Sequence, residues 1–138
     1  MSAATDITYG QVVDVDLPFE AAVEAVTRAL EAEAFSVVTD FDIQASLHRN
    51  LGEAFRPYRI LGACNAQLAR AALSAEPQLG LLVPCNVVVQ EIDGRVIISA
   101  IDANLIVQTV RNRSLEHVAA DANARLGRAL KAVSIKRA

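Results

Sequence analysis

The chain has 138 residues, a formal net charge of -3 and a 53% hydrophobic composition without Trp. That length fits a single domain, residues 1–138, which can bury roughly two thirds of its unfolded surface without a disulfide or a metal. The mildly acidic charge gives no overall field for nucleic acid, no apolar run approaches the ~18 residues of a membrane span, and the start of the chain lacks the basic-then-apolar pattern of a secretory signal.

In chain order, Val12, Val13, Val15 and Leu17 predict a first strand near residues 8 to 16. Pro18 then opens a helix, in whose first turn a missing N–H costs nothing. Phe19, Val23, Val26 and Leu30 recur at helical spacing to about residue 34. Phe35 to Phe41 reads as a second strand. Asp42 is placed to cap a short helix carrying Ile43, Leu47 and Leu51, closed by Gly52. Tyr58 to Ala63 forms a third strand, and Asn65 caps a helix from Ala66 to about Ala75 that Pro77 and Gly80 end. Leu81 to Gln90 reads as a nearly continuous apolar strand, edge-lying or bulged at Pro84 because proline donates nothing to a ladder. Asp93-Gly94 is a tight hairpin signal, answered by a strand from Arg95 to Ile101. Ser114 is placed to cap a last helix with the stripe Leu115, Val118, Ala122, Leu126, Ala129 and Val133.

The predicted order is β-α-β-(short α)-β-α-β-β-α. Without regular βαβ alternation, it argues for an α+β fold in which one sheet face carries the two long helices. The single glycines at positions 62, 80 and 94 make no phosphate-binding loop. The excess of Ala and Val suggests a patch for self-association. From residue 111 onward there are seven basic residues against two acidic ones, and cations there complement the last helix's dipole.

Two Cys-Asn steps stand out. Cys64 ends a predicted strand just before a helix N-terminus, where backbone N–H groups and the dipole favour an anion. A buried, inert thiol beside an ordinary cap is the plainer reading of the same residues. Cys85 and Asn86 sit in the apolar run Leu81–Val89, and alternation sends their side chains to opposite faces. A buried amide left unpaired costs about 1–3 kcal/mol, so Asn86 is expected to bond backbone, water, another chain or a ligand. If their strands are neighbours, Cys64 and Cys85 can form a two-thiolate site for a soft metal ion or a reversible disulfide. A zinc site needs more ligands than this pair supplies. His48 and His117 read as solvated helix residues. Arg59 is expected to pair with Asp40, Asp42 or an anion, and Asp102 to form an Asx turn. Two cysteines 21 positions apart make no secreted framework, so a reducing cytoplasm is the expected location.

The stretch Tyr58 to Asn65, followed by Leu68-Ala69, Ala72-Leu73 and Gly80 to Val89, resembles the signature of the domain of unknown function 302 family. Phe35 to Gly52 and Phe55 to Tyr58 also resemble that family, so the likeness runs through nearly the whole chain. It implies a TBP-like β-α-β4-α fold with short extra helices inserted, and a homodimer, but no established reaction. It points to Cys64, Asn65, Cys85 and Asn86 as the site, with Tyr58 and Arg59 beside them. Two departures stand out. Ile101-Asp102-Ala103 replaces the family's Met-Asp-Pro, which removes a possible thioether ligand, and Ala66 replaces a Pro after the first Cys-Asn. Three functions follow. The first is a small-ligand or soft-metal binding module, with Cys64 and Cys85 as the metal ligands. The second is a structural homodimer domain without chemistry. The third is a thiol-redox or transferase enzyme using Cys64.

Overall fold

A computed structural model of the chain describes residues 6–135; the extreme N-terminal residues and the last two cations discussed above lie outside them. The strands are β1 (Gly10–Val15), β2 (Ser36–Asp42), β3 (Tyr58–Cys64), β4 (Cys85–Ile92) and β5 (Arg95–Ile101). The helices are α1 (Phe19–Ala32), α2 (Ile43–Leu51), α3 (Ala66–Ala75), α4 (Asn104–Val110) and α5 (Glu116–Val133). Short 3-10 turns occupy Pro77–Leu81 and Arg113–Leu115. The sheet order is β1-β5-β4-β3-β2, and every neighbouring pair is antiparallel. The fold is therefore α+β, as expected.

Local chemistry explains most boundaries. Pro18 precedes α1, which buries Ala22, Val23, Val26 and Leu30. The helix ends in a Schellman arrangement: Phe35 N–H donates to Leu30 O, Ala34 N–H donates to Glu31 O, and Ala34 takes the left-handed conformation with φ 66°. Phe35 and Leu30 are both buried, supplying the apolar contact that accompanies this motif. Asp42 accepts from Ala45 N–H at 2.9 Å, and Gly52 closes α2 at φ 67°. Asp93 and Gly94 both have positive φ, the requirement of the two-residue turn joining β4 to β5.

Alternation sorts the sheet into two faces. Val15, Leu61, Ala63, Val87, Val89, Val96, Ile98 and Ala100 form the main core with Val26 and Leu30 of α1 and Leu126 and Leu130 of α5. The two long helices thus lie side by side on one face. The opposite face carries Val12, Ile60, Val88 and Ile101, with Phe41 half exposed.

Three expectations change. The strand expected from Leu81 begins only at Cys85, because Leu81 closes a 3-10 turn and Pro84, after a cis peptide bond, lacks the N–H to join a ladder. The irregularity expected at Pro84 occurs instead in edge strand β2, between Val37 and Thr39. Ser114 does not cap the last helix: Asn112 accepts from Ser114 N–H at 3.0 Å to cap the 3-10 turn, and α5 starts at Glu116. Helix α4 was not foreseen, since Leu105-Ile106-Val107 carries the β-branched pattern of a strand.

Candidate functional site

Cys64 is the last residue of β3, and Asn65 is the N-cap of α3, its Oδ1 accepting from Leu68 N–H at 3.0 Å. In the ladder Ala63 faces Cys85 and Gly62 faces Asn86, so Cys64 lies one step along and one strand across from Cys85. Beside this corner of the sheet, α3, both 3-10 turns, α4 and α5 border a partly open cavity of about 230 Å³. Cys64, Asn65 and Cys85 line it together with Ala63, Ala72, Leu79, Val107, Leu115 and Ala119. Alanine recurs on α3 and α5 at the positions that face inward, and these short side chains are what leave the space open.

Among the described residues no charged side chain lines the cavity. Asn65 is 7% exposed and is the buried polar residue of the described chain. Its Oδ1 is used by the cap, while its Nδ2 finds no acceptor among the described residues. Both cysteines are free thiols. Burial pushes the Cys85 thiol above its ordinary value, and the neighbouring Cys64 adds to the rise. Neither His48 nor His117 lines the cavity, and both are exposed. Among the described residues no group of three or more His, Cys, Asp or Glu side chains is placed to hold a metal.

The remaining expected site residues lie elsewhere. Asn86 points to the opposite face and is exposed, so it carries no burial cost and needs no ligand to offset one. Tyr58 and Arg59 sit at the far end of β3 from Cys64. The Tyr58 ring is 6.2 Å from that of Phe55, and the Arg56 guanidinium lies over both rings. Arg59 bonds Asp40 through Nε at 2.8 Å and reaches Glu20 of α1 at 3.3 Å. This guanidinium holds the Asp40 carboxyl below its ordinary value, and the two carboxylates raise that of Arg59 in turn. Arg59 thus ties β2 and β3 to α1, with its charge already matched.

Two features escaped the sequence reading. One is the second apolar side of α5, where Val118, Ala119 and Ala122, with Leu115 of the 3-10 turn before it, turn toward the cavity rather than the main core. Its signal was present, because these positions recur at helical spacing. The other is a clamp at the end of β5. Asp102 accepts from Asn104 N–H at 2.9 Å, which is the expected Asx turn, and also from Asn123 Nδ2 at 2.7 Å. Asn123 Oδ1 in turn accepts from Ala103 N–H at 2.8 Å, fixing α4 against α5.

Among curated proteins no match to the chain is found. The chain is similar to a solved structure described as the crystal structure of an uncharacterized conserved protein DUF302 from Bacillus stearothermophilus. The two share 27% identity over 92% of this chain and 99% of that one, with a TM-score of 0.86. The family model for the domain of unknown function DUF302 matches residues 11–133, the span that holds all of the sheet but Gly10, both long helices and the residues lining the cavity, and the chain belongs to that family.

Proposed function

We propose that this chain is a binding module for a small, mainly apolar molecule carrying one hydrogen-bond acceptor, housed in the cavity beside Cys64, Asn65 and Cys85. The observation that carries this reading is Asn65, a buried side chain whose Nδ2 has no acceptor among the described residues, in a cavity otherwise lined by apolar groups and two thiols. An unmade hydrogen bond of this kind costs about 1–3 kcal/mol, and a carbonyl or ether oxygen on a ligand recovers it. Free thiols suit a reducing compartment, so the cytoplasm is the proposed setting. The TBP-like β-α-β4-α description is part of the same reading, supported by the two long helices on one sheet face.

The test uses 2-heptanone and n-heptane as matched probes, followed by NMR of the backbone amides. The ketone is expected to shift Ala72, Val107 and Ala119. Asn65→Ser keeps a capping oxygen but withdraws the amide Nδ2, and its one hydroxyl, on a shorter side chain, does not reach the same place. It is expected to change stability by under ~0.5 kcal/mol, because serine caps as well as asparagine, and to weaken the ketone at least about tenfold, ~1.4 kcal/mol, while the alkane changes less than about twofold. Equal losses for both probes, or none for the ketone, would remove Asn65 from the reading. No perturbation of the lining residues by either probe would remove the cavity.

We further propose that the chain works as a homodimer joined through the sheet face opposite α1 and α5. Val12, Ile60, Val88 and Ile101 give that face an apolar surface, and no long helix packs on it. Sedimentation equilibrium at micromolar concentration is expected to give twice the chain mass of 14.7 kDa, and Val88→Glu to give the single mass. A monomeric wild type would overturn this part.

A further inference from the structure

We infer that Cys64 and Cys85 together hold a soft, two-coordinate monovalent cation of the Cu(I) type at the polar corner of the cavity. The inference rests on the proposed function only in requiring that the cavity admit a ligand. Cys64 ends β3 one position beyond Ala63, the residue that faces Cys85 across the ladder to the neighbouring strand β4. Both side chains line the same cavity.

The donor set selects the ion. Thiolate sulfur is soft and prefers Cu(I), whereas a structural zinc site takes four ligands. The described residues offer no third His, Cys, Asp or Glu beside the pair. Hard cations such as magnesium or calcium are excluded by the lack of any carboxylate in the lining.

The charge is also accounted for. Two thiolates and one monovalent cation leave a net charge of -1 in an apolar cavity, which is costly without compensation. Cys64 adjoins the N-terminus of the ten-residue helix α3, whose free N–H groups and dipole favour an anion. Asn65 belongs to the same lining, and its Nδ2, which finds no acceptor among the described residues, is a donor for a thiolate sulfur. Both compensating groups sit on the Cys64 side, where the cavity provides the only polar side chain besides the thiols.

The experiment is an anaerobic titration of the full chain with Cu(I) against bicinchoninate, with X-ray absorption at the copper edge. One Cu(I) per chain is expected, with two sulfur neighbours and no nitrogen. Cys64→Ala and Cys85→Ala are each expected to weaken binding at least tenfold, and the double variant to remove it. Alanine suits the apolar lining, and a urea unfolding transition with the wild-type slope shows that each variant still folds. Copper bound through nitrogen, or bound equally by the double variant, overturns the inference. If 2-heptanone binds and the thiols hold no copper, this inference fails while the cavity reading stands. If copper binds between the two sulfurs and neither 2-heptanone nor n-heptane enters, the inference stands and the apolar-ligand reading fails.

Discussion

Gly62→Val is expected to destabilise the protein by ~3 kcal/mol, at the upper end of the cost of overpacking a filled site. Gly62 is buried in the middle of β3, between Thr39 on β2 and Asn86 on β4. Its φ is unexceptional, so the constraint is space and not backbone freedom. A Cβ built there collides with Thr39 Oγ1 and comes within 2.8 Å of Pro84 Cγ. Neither neighbour yields cheaply. Threonine is stiff at χ1, and the pyrrolidine ring is held by the chain just ahead of β4. Valine adds two further carbons to the conflict. Relief must come from moving β2 outward or displacing the segment at Pro84, and Pro84 and Cys85 both line the cavity. Urea unfolding is therefore expected to show a lower midpoint, with weakened 2-heptanone binding in the variant that remains folded. Adding Thr39→Ala to Gly62→Val should recover part of the loss, because it removes the nearer obstacle. A single variant within ~0.5 kcal/mol of wild type would mean that the sheet absorbs the extra side chain freely.

Local signals in the sequence were read correctly where one residue decides one conformation. Asp42 and Asn65 cap their helices, Gly52 closes α2, and Asp93-Gly94 turns the hairpin. Each depends on a short-range hydrogen bond or a positive φ, which the sequence displays directly. Segments decided by tertiary packing were less legible. The run from Leu105 to Val110 has strand-forming residues yet folds as α4, where Ile106 and Val107 close the cavity and the Asp102–Asn123 clamp fixes its start. Leu81 to Val83 resembled the beginning of a strand, but Pro84 stops the ladder from extending through it.

The site was legible only in part for the same reason. Cys64, Asn65 and Cys85 converge because their strands are neighbours, a relation the sequence suggested through the two repeated Cys-Asn steps without fixing it. Asn86 belongs to the same step as Cys85, yet one position along a strand reverses the face. Arg59 was recognisable as an ion-pair residue, and its partners Asp40 and Glu20 leave its charge satisfied, at a distance of several residues from the thiols. The alanines lining the cavity were the least visible element. Small apolar residues pack cores and border cavities equally well, and only the three-dimensional arrangement tells the two apart.

The second large effect is expected at Leu126. Leu126→Ala should lower the unfolding free energy by ~2–5 kcal/mol, the range for truncating a buried leucine. The side chain is fully buried between α1 and the sheet, in the main core. The upper half of that range is favoured by its surroundings. Leu30, Val26 and Leu130 are also fully buried, and the central strands β5 and β4 beneath them are paired on both sides, so the site has little freedom to collapse into the void. Leu126 does not line the cavity, whereas Leu115, also buried, does. The two leucines therefore separate folding from binding. Leu126→Ala is expected to lower the urea midpoint while 2-heptanone affinity, measured where the variant is still folded, changes less than about twofold, because the lining it would have to disturb belongs to other side chains. Leu115→Ala removes part of the cavity wall and should move both quantities. If Leu126→Ala altered affinity as strongly as Leu115→Ala, the main core and the cavity would have to act as one packing unit, and the assignment of separate tasks to the two sides of α5 would fail.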